Sequence, residues 1–360
     1  MFPKLRFKEF DGDWLKLKYK DVLTIKYGKD HKSLNDGDIP VYGTGGLMRH
    51  VNKYLYDGES ILIGRKGTID KPKYINEKFW TVDTLFYTEI EESIVPLFLY
   101  QHALEVNWLG LNEATGVPSL NTTSIYNIDI SIPSKEEQNK IASFLSVVDE
   151  KISQLTQKLE LLSQYKQGMM QKLFSQQLRF KADNGSEFGE WEEKELHQIF
   201  QIKAGGDIEK SSVSEVRTSE FSYPIFANSD KNKGFYGWAN KFKYKEAVTV
   251  TGRGNLGIAV ARNEPFYPIV RLLVLLPLVK QNLKFFEEQI NLLDIVSEST
   301  GVPQLTAPQL SKYKVNVPSL EEQTKIANFL SSIDQKIEVV AQQIEQAKTW
   351  KKGLLQQMFI

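Results

Sequence analysis

The sequence contains no cysteine, which excludes disulfide frameworks and thiolate metal sites at once. Histidine is scarce too: His31, His50, His102 and His197 stand apart, without metal-ligand spacing. A metal held by carboxylates alone has no support in the pattern, so we expect none in this chain. Neither sign of charge prevails, since Lys and Arg together number 45 and so do Asp and Glu. A nucleic-acid binder usually shows a basic excess, because phosphate neutralisation supplies most of its non-specific affinity. Composition gives no push toward DNA, and any basic patch must be local. Long apolar runs are also missing. The opening MFPKLRFKEFDGDW has no apolar core of a signal peptide, and the most apolar run, 269–279, is too short to cross a bilayer and carries Arg271 and Pro277. We expect a cytoplasmic protein with no membrane partner.

What is present is a chain written twice. Its 360 residues, 41% hydrophobic, suffice for two or three domains, and internal repeats decide how these are arranged. Thr115-Gly116-Val117-Pro118 returns as Thr300-Gly301-Val302-Pro303, Pro133 as Pro318, and Glu136-Glu137-Gln138 as Glu321-Glu322-Gln323. Each pair is separated by the same 185 positions, as from Pro133 to Pro318. Upstream the match is looser: Leu5-Arg6-Phe7 recurs as Leu178-Arg179-Phe180, Trp14 as Trp191, Pro40 as Pro224 and Gly64-Arg65 as Gly252-Arg253, at shifting offsets. Each half is a variable region followed by a well-matched tail.

One motif invites a different reading. Gly252, Gly254 and Gly257 spell G-x-G-x-x-G after a strand-like stretch, a dinucleotide fingerprint only where a helix opens inside the glycine run. Here Ile258 to Arg262 are short and partly β-branched, with Pro265 and Pro268 behind them, which reads as a second strand and makes the glycines a hairpin turn. The sister copy around Gly64-Arg65-Lys66-Gly67 lacks the fingerprint. A shared Gly-Arg hairpin explains both copies.

The matched tails read as long helices. Pro133 and Pro318 mark the entries, and Ser134 with Glu137 and Ser319 with Glu322 supply S-x-x-E capping boxes. Apolar residues then recur at alternating spacings of four and three: Ile141, Leu145, Val148, Ile152, Leu155, Leu159 and Leu162 in the first, Ile326, Leu330, Ile333, Ile337, Val340 and Ile344 in the second. Lys166 and Lys351 interrupt the two seams at the same phase. This is an a/d heptad pattern, and each helix would be roughly 60 Å long. The helices could be core elements of a larger fold, but a 3.5 period over more than three heptads favours their pairing with each other. A pseudo-two-fold axis between the halves would make them antiparallel, with the variable regions at opposite ends.

We therefore expect an α+β protein: mixed domains over 1–133 and 178–318, spacer helices over 134–177 and 319–360, and an antiparallel coiled coil in a pseudo-two-fold repeat. In the variable regions Ser60 to Ile63, Trp80 to Glu89, Ala247 to Thr251 and Leu272 to Leu276 read as strands, and Val95 to Val106 and Leu283 to Ile295 as helices. Basic and aromatic residues interleave around Lys26, Lys29, His31 and Lys32 and again over Asn228, Ser229, Lys231 and Lys233. Such loops suit contacts to phosphates and base edges, although solvated polar loops between strands explain any one of them equally well. With Tyr42, Thr44, Arg65, Lys66, Arg253 and Asn255 they form the candidate DNA-binding set. Arg65 and Arg253 stand out, each on a Gly-flanked turn where backbone can approach closely.

Capped heptad helices of P-x-x-E-E-Q-x-K-I-A-x-F-L type, at Pro133 to Leu145 and Pro318 to Leu330, each follow a dissimilar globular half. In this the sequence resembles the specificity subunit of type I restriction-modification systems over essentially its whole length. The resemblance implies two target-recognition domains, each reading half of a split double-stranded DNA target, and helices that set the spacing and dock two copies of a methylation (M) subunit, with restriction (R) subunits in the full complex. It implies no catalytic residue here, with S-adenosylmethionine, ATP and Mg on the partner subunits. The residues agree, for there is neither an N-P-P-Y-like methyltransferase motif nor a G-K-[ST] phosphate loop. The alternatives are a stand-alone DNA adenine methyltransferase, whose motifs are missing, and a coiled-coil adaptor between proteins.

Overall fold

The heptad seams become two unbroken helices, Lys135–Phe174 and Leu320–Met358, in a computed structural model that describes residues 3–295 and 303–359. Thr300, Gly301 and Val302, part of the second T-G-V-P element, lie outside the described residues. All thirteen seam positions named above are buried or half-buried. No helix among the described residues is long and apolar enough to cross a membrane.

Two compact units divide the chain in mid-helix: one reaches to Lys158 and resumes at Val340, the other spans Leu159 to Val339. Each contains a variable region, the start of its own helix and the end of the other. In the first, Ile141, Leu145 and Val148 share a core with Phe98, Leu99 and Trp108 and with Leu354, Leu355 and Met358 of the second helix. In the second, Ile326, Leu330 and Ile333 join Phe285, Phe286 and Leu173. Within the units the helices run antiparallel, and the seam lysines explain themselves. Lys351 Nζ lies 2.6 Å from Asp149 Oδ1 in the first unit, and Lys166 Nζ lies 2.7 Å from Asp334 Oδ1 and 2.9 Å from Glu288 Oε1 in the second.

The repeated E-E-Q has a job at each helix start, though not the whole of the expected one. Ser134 Oγ and Ser319 Oγ do accept from the backbone N–H of Glu137 and Glu322, both at 3.3 Å. The glutamates, however, are claimed by the arginine of the repeated L-R-F. Arg6 Nε and Nη2 each donate to Glu137 at 2.7 Å, and Arg179 donates to Glu322 at 3.1 and 2.9 Å. These carboxylates are 1% and 0% exposed, and a buried carboxylate needs a cation more than an N-cap needs a second bond. Gln138 Oε1 accepts from Val95 N at 2.8 Å and Gln323 Oε1 from Asn282 N at 3.0 Å. That ties each long helix to the cap of a short one, Pro96–Ala103 or Leu283–Ile290.

Both short helices stop sooner than their apolar pattern predicts. The Trp108 indole captures the Ala103 carbonyl at 2.8 Å, and Asn291 turns its amide onto both backbone groups of Ala259. The first unit carries a six-stranded sheet in the order Leu23–Tyr27, Leu85–Ile90, Tyr56–Gly64, Lys73–Thr81, Ile39–Gly43, Gly46–Val51. The second has two four-stranded sheets: Phe200–Ala204, Leu272–Pro277, Ala247–Thr251 and Ala259–Arg262, then Val213–Ser214, Phe235–Ala239, Tyr223–Phe226 and Tyr267–Pro268. The topology is the same but for one break and one added edge strand, Val213–Ser214, beside Phe235–Ala239. Where Lys73–Thr81 runs unbroken, Pro265 falls between Ala259–Arg262 and Tyr267–Pro268, and a proline cannot donate to a ladder.

Candidate nucleic-acid interface

The stretch Trp80 to Glu89, expected as one strand, is broken at Val82-Asp83-Thr84, and this short turn organises the first unit's loops. Asp favours turns by bonding nearby backbone, the one signal in the sequence that could have revealed it. Gly28 packs so tightly that a Cβ there would lie 2.0 Å from the Val82 carbonyl oxygen, and its neighbour Lys29 donates its N–H to Thr81 O at 2.8 Å. Val82 N–H donates to Tyr42 O at 3.1 Å, and those of Arg65 and Lys66 both donate to Thr84 O, at 2.8 and 3.2 Å. The turn thus gathers four candidate residues distant in sequence. Beside it lies a groove of about 690 Å³, lined in part by His31, Lys32, Thr44, Asp83 and Thr84.

Arg65 sits at the rim. Its Nη1 donates to Asp83 O at 3.1 Å, and the guanidinium carbon stands 5.5 Å from the centre of the Tyr27 ring, so the side chain is held in place with no carboxylate partner among these contacts. Two candidates are engaged elsewhere. Lys26 Nζ pairs with Glu89 at 3.1 Å. Tyr42 donates its hydroxyl to Glu77 at 2.7 Å, and burial together with that carboxylate pushes its phenol up to about 12.

The second unit repeats the plan with Ile269-Val270-Arg271 in place of the turn. A Cβ on Gly205 would lie 2.3 Å from Ile269 O, and Ile269 N–H donates to Phe226 O at 2.9 Å. Arg271, exposed and at φ 71°, is a basic residue of this hub that the sequence reading met only as an interruption of an apolar run. Asn228 does not face outward with its amide. Its Oδ1 accepts from Gly252 N and Arg253 N at 2.6 and 3.1 Å, and its Nδ2 donates to Arg253 O at 2.7 Å, so it clamps the Gly-Arg turn. Asn255 donates to Asp230 at 2.6 Å, a bond that holds the Asp230 carboxyl below its usual range. Ser229 Oγ accepts from Lys231 N at 3.2 Å, leaving the Lys231 and Lys233 side chains exposed on the loop.

The repeated elements meet in both units. Gly67 N–H donates to Pro118 O at 2.9 Å and Leu120 N–H to Arg65 O at 2.9 Å; their counterparts are Gly254 N–H to Pro303 O at 3.1 Å and Leu305 N–H to Gly252 O at 2.9 Å. The Gly-Arg turn and the T-G-V-P-x-L segment are therefore one paired structure, in a register one residue off the sequence match: Arg65 is equivalent to Gly252, and Lys66 to Arg253. As for the glycine fingerprint, Ala259–Arg262 is a strand paired antiparallel with Ala247–Thr251, and Gly254 and Gly257 take φ values of 73° and 81° in the turn between them.

Comparison with known proteins bears on what such paired units do. A family model described as type I restriction modification DNA specificity domain matches residues 11–164 and again 189–349. A Mycoplasma pneumoniae protein carrying the name type I specificity subunit S.MpnORF507P is 28% identical over 326 residues, 88% of each chain. The specificity subunit of the type I restriction enzyme MjaVIII from Methanocaldococcus jannaschii is 26% identical over 337 residues, 84% of this chain and 76% of its own. The crystal structure of a type I restriction-modification S subunit from M. genitalium superposes with a TM-score of 0.71 over 100% of this chain and 99% of that one, at 18% identity. That likeness is one of fold.

Proposed function

The chain belongs to the type I restriction-modification DNA specificity family, and from this premise we propose that its two variable regions, 1–133 and 178–318, are target-recognition domains that each read one half of a bipartite double-stranded DNA target. The observation that carries the proposal is the paired Gly-Arg turn. In both units equivalent backbone bonds hold the turn, one residue out of step with the Gly-Arg match, so that Lys66 and Arg253 take the like position and Arg65 stands beside it, amid loops of different sequence, as expected of two readers built alike and tuned to different half-sites. An arginine on a tight turn suits phosphate or the O6 and N7 of guanine. His31, Lys32 and Thr44 line the groove beside Asp83, to which Arg65 is bonded, and the loop that carries Lys231 and Lys233 is tied to Arg253 through Asn228.

The paired helices, continuous through both units, would set the number of unread base pairs and dock two methylation subunits on their matched faces, with restriction subunits joining the full complex. Transfer and cleavage belong to those partners, as do S-adenosylmethionine, ATP and Mg. Specificity is thereby separated from chemistry, and a balanced total charge is tolerable where partners supply part of the phosphate contact.

Gel shifts with genomic fragments, with and without the methylation subunit, test the assignment. Arg65→Ala should weaken binding by about 1–3 kcal/mol and relax only one half-site if Arg65 reads a base. Uniform loss across all sequences would reduce it to a phosphate contact, and methyl transfer by the chain alone would overturn the subunit reading.

A further inference from the structure

A loop in the second unit is longer than its sister, and a buried cation lies beneath it. In the first unit two residues, Thr44 and Gly45, join Ile39–Gly43 to Gly46–Val51; in the second, residues 227–234 join Tyr223–Phe226 to Phe235–Ala239. The added segment carries Lys231 and Lys233, both exposed. Its backbone is unusual. Asn232 and Lys233 have φ/ψ of 46°/39° and 50°/30°, and Gly234 follows at φ 79°. Side chains with a Cβ rarely occupy that left-handed region, and two in succession need outside support.

Arg262 supplies it. The residue is 8% exposed and takes part in no salt bridge with a carboxylate among the described residues. Its Nη2 donates to Lys233 O at 2.5 Å, its Nε donates to Thr249 Oγ1 at 3.1 Å, and its guanidinium carbon lies 3.5 Å from the centre of the Phe226 ring. Burial lowers its pKa to about 10, offset in part by Glu287. Gly234 O accepts from Ala227 N at 2.8 Å and closes the base of the loop.

We propose that Arg262 is a positioning residue for DNA binding: it holds the left-handed turn at Asn232 and Lys233 so that Lys231 and Lys233 both reach phosphates of the duplex. The inference rests on the second domain being a DNA reader. A guanidinium suits the place because its fixed fork can meet a carbonyl and a hydroxyl at once while its face packs on an aromatic ring, which an ammonium cannot do. The lysines then act in pairs, and only while the turn is held.

The test is the salt dependence of binding by the chain in complex with its methylation subunits. The probes are a labelled duplex carrying the site methylated in cells that express the complex and a duplex of random sequence. Each phosphate contact adds about 0.9 to the slope of log K against log salt. Arg262→Met should lower the slope by about 1.8, as should Lys231→Ala/Lys233→Ala, and the triple variant should fall no further than either. Where Arg262→Met does not fold, as judged by circular dichroism, Arg262→Lys takes its place and should lose at least one contact. The lysine pair, on the surface, reports in every case. An unchanged slope for the lysine pair, or weaker binding at full slope for the Arg262 variant, would overturn the proposal. Wild-type complex that does not prefer the methylated site over the random duplex would instead overturn the recognition reading itself.

Discussion

In the first unit the strand Lys73–Thr81 runs unbroken and the hairpin of Ile39–Gly43 and Gly46–Val51 turns in two residues; in the second, Pro265 splits the matching strand and the turn grows to residues 227–234. Against this, the helix starts are nearly superimposable in their chemistry: Arg6 with Glu137 and Arg179 with Glu322, Gln138 with Val95 and Gln323 with Asn282. The bonds that recur are those that fix the helices and the Gly-Arg turns, and the bonds that differ lie in loops. On the proposed function this is a scaffold held constant to present two like faces, with the surfaces proposed to read different sequences free to diverge.

The sharpest way to break the likeness is with acid. The first unit buries His102, whose Nδ1 stands 2.9 Å from the Tyr19 hydroxyl, where the matching position of the second unit's short helix is Gln289. Burial lowers the His102 pKa to about 4. In the unfolded chain the imidazole takes a proton below about pH 6.5, and in the folded chain only below about 4. The stability it contributes is therefore whole above pH 6.5 and lost as pH falls toward 4, by up to about 3 kcal/mol. Denaturant melts at pH 7.5 and 5 should show the first unit losing stability that His102→Gln retains; equal losses in both proteins would contradict the assignment.

The two seam lysines should also part company. Lys166→Met leaves Glu288, 3% exposed, with Lys284 as its remaining cation, and should cost about 2 kcal/mol, less than a buried pair with no substitute. Lys351→Met leaves Asp149 partly exposed and still receiving the Gln101 amide at 2.9 Å, so about 1 kcal/mol or less is expected. Equal costs in melts of the two variants would mean that the pairs do not differ as their surroundings imply. In acid the Asp334 carboxylate adds to the contrast. Burial disfavours its charge, but Lys166 and Lys284 outweigh that and hold its pKa below the ordinary value; the stability it lends is present above about pH 4 and fades as pH falls further.

Much of this was legible in the sequence because it is local or periodic. A 3.5 period survives folding wherever a helix has a partner, so Ile141 to Leu162 and Ile326 to Ile344 were readable. Contacts between distant residues were not. Nothing near Glu137 announces that Arg6 claims it, and nothing in N-S-D-K-N-K-G shows that Asn228 folds back onto Gly252 while Lys231 faces outward. Val82-Asp83-Thr84 hid inside a strand-like run because its role, receiving Gly28, Tyr42 and Arg65, belongs to residues elsewhere in the chain.

Asn228 offers the most local contrast. Its first-unit counterpart by position, Thr44, has no amide with which to clamp a turn. Asn228→Ala removes three bonds to the Gly252-Arg253 backbone and should weaken binding through the second half-site by about 2 kcal/mol, roughly 30-fold in Kd. Selection of preferred duplexes from a random pool should show relaxed preference in that half alone; intact preference in both would show that the turn holds itself.

The central claim is that the two domains read independently. It is tested most directly by mapping genomic methylation in a strain whose complex carries this chain with residues 1–133 exchanged for those of a relative with another target. The account predicts a methylated sequence in which one half changes and the other half and the spacer stay as they were. Change in both halves, or in neither, would contradict it.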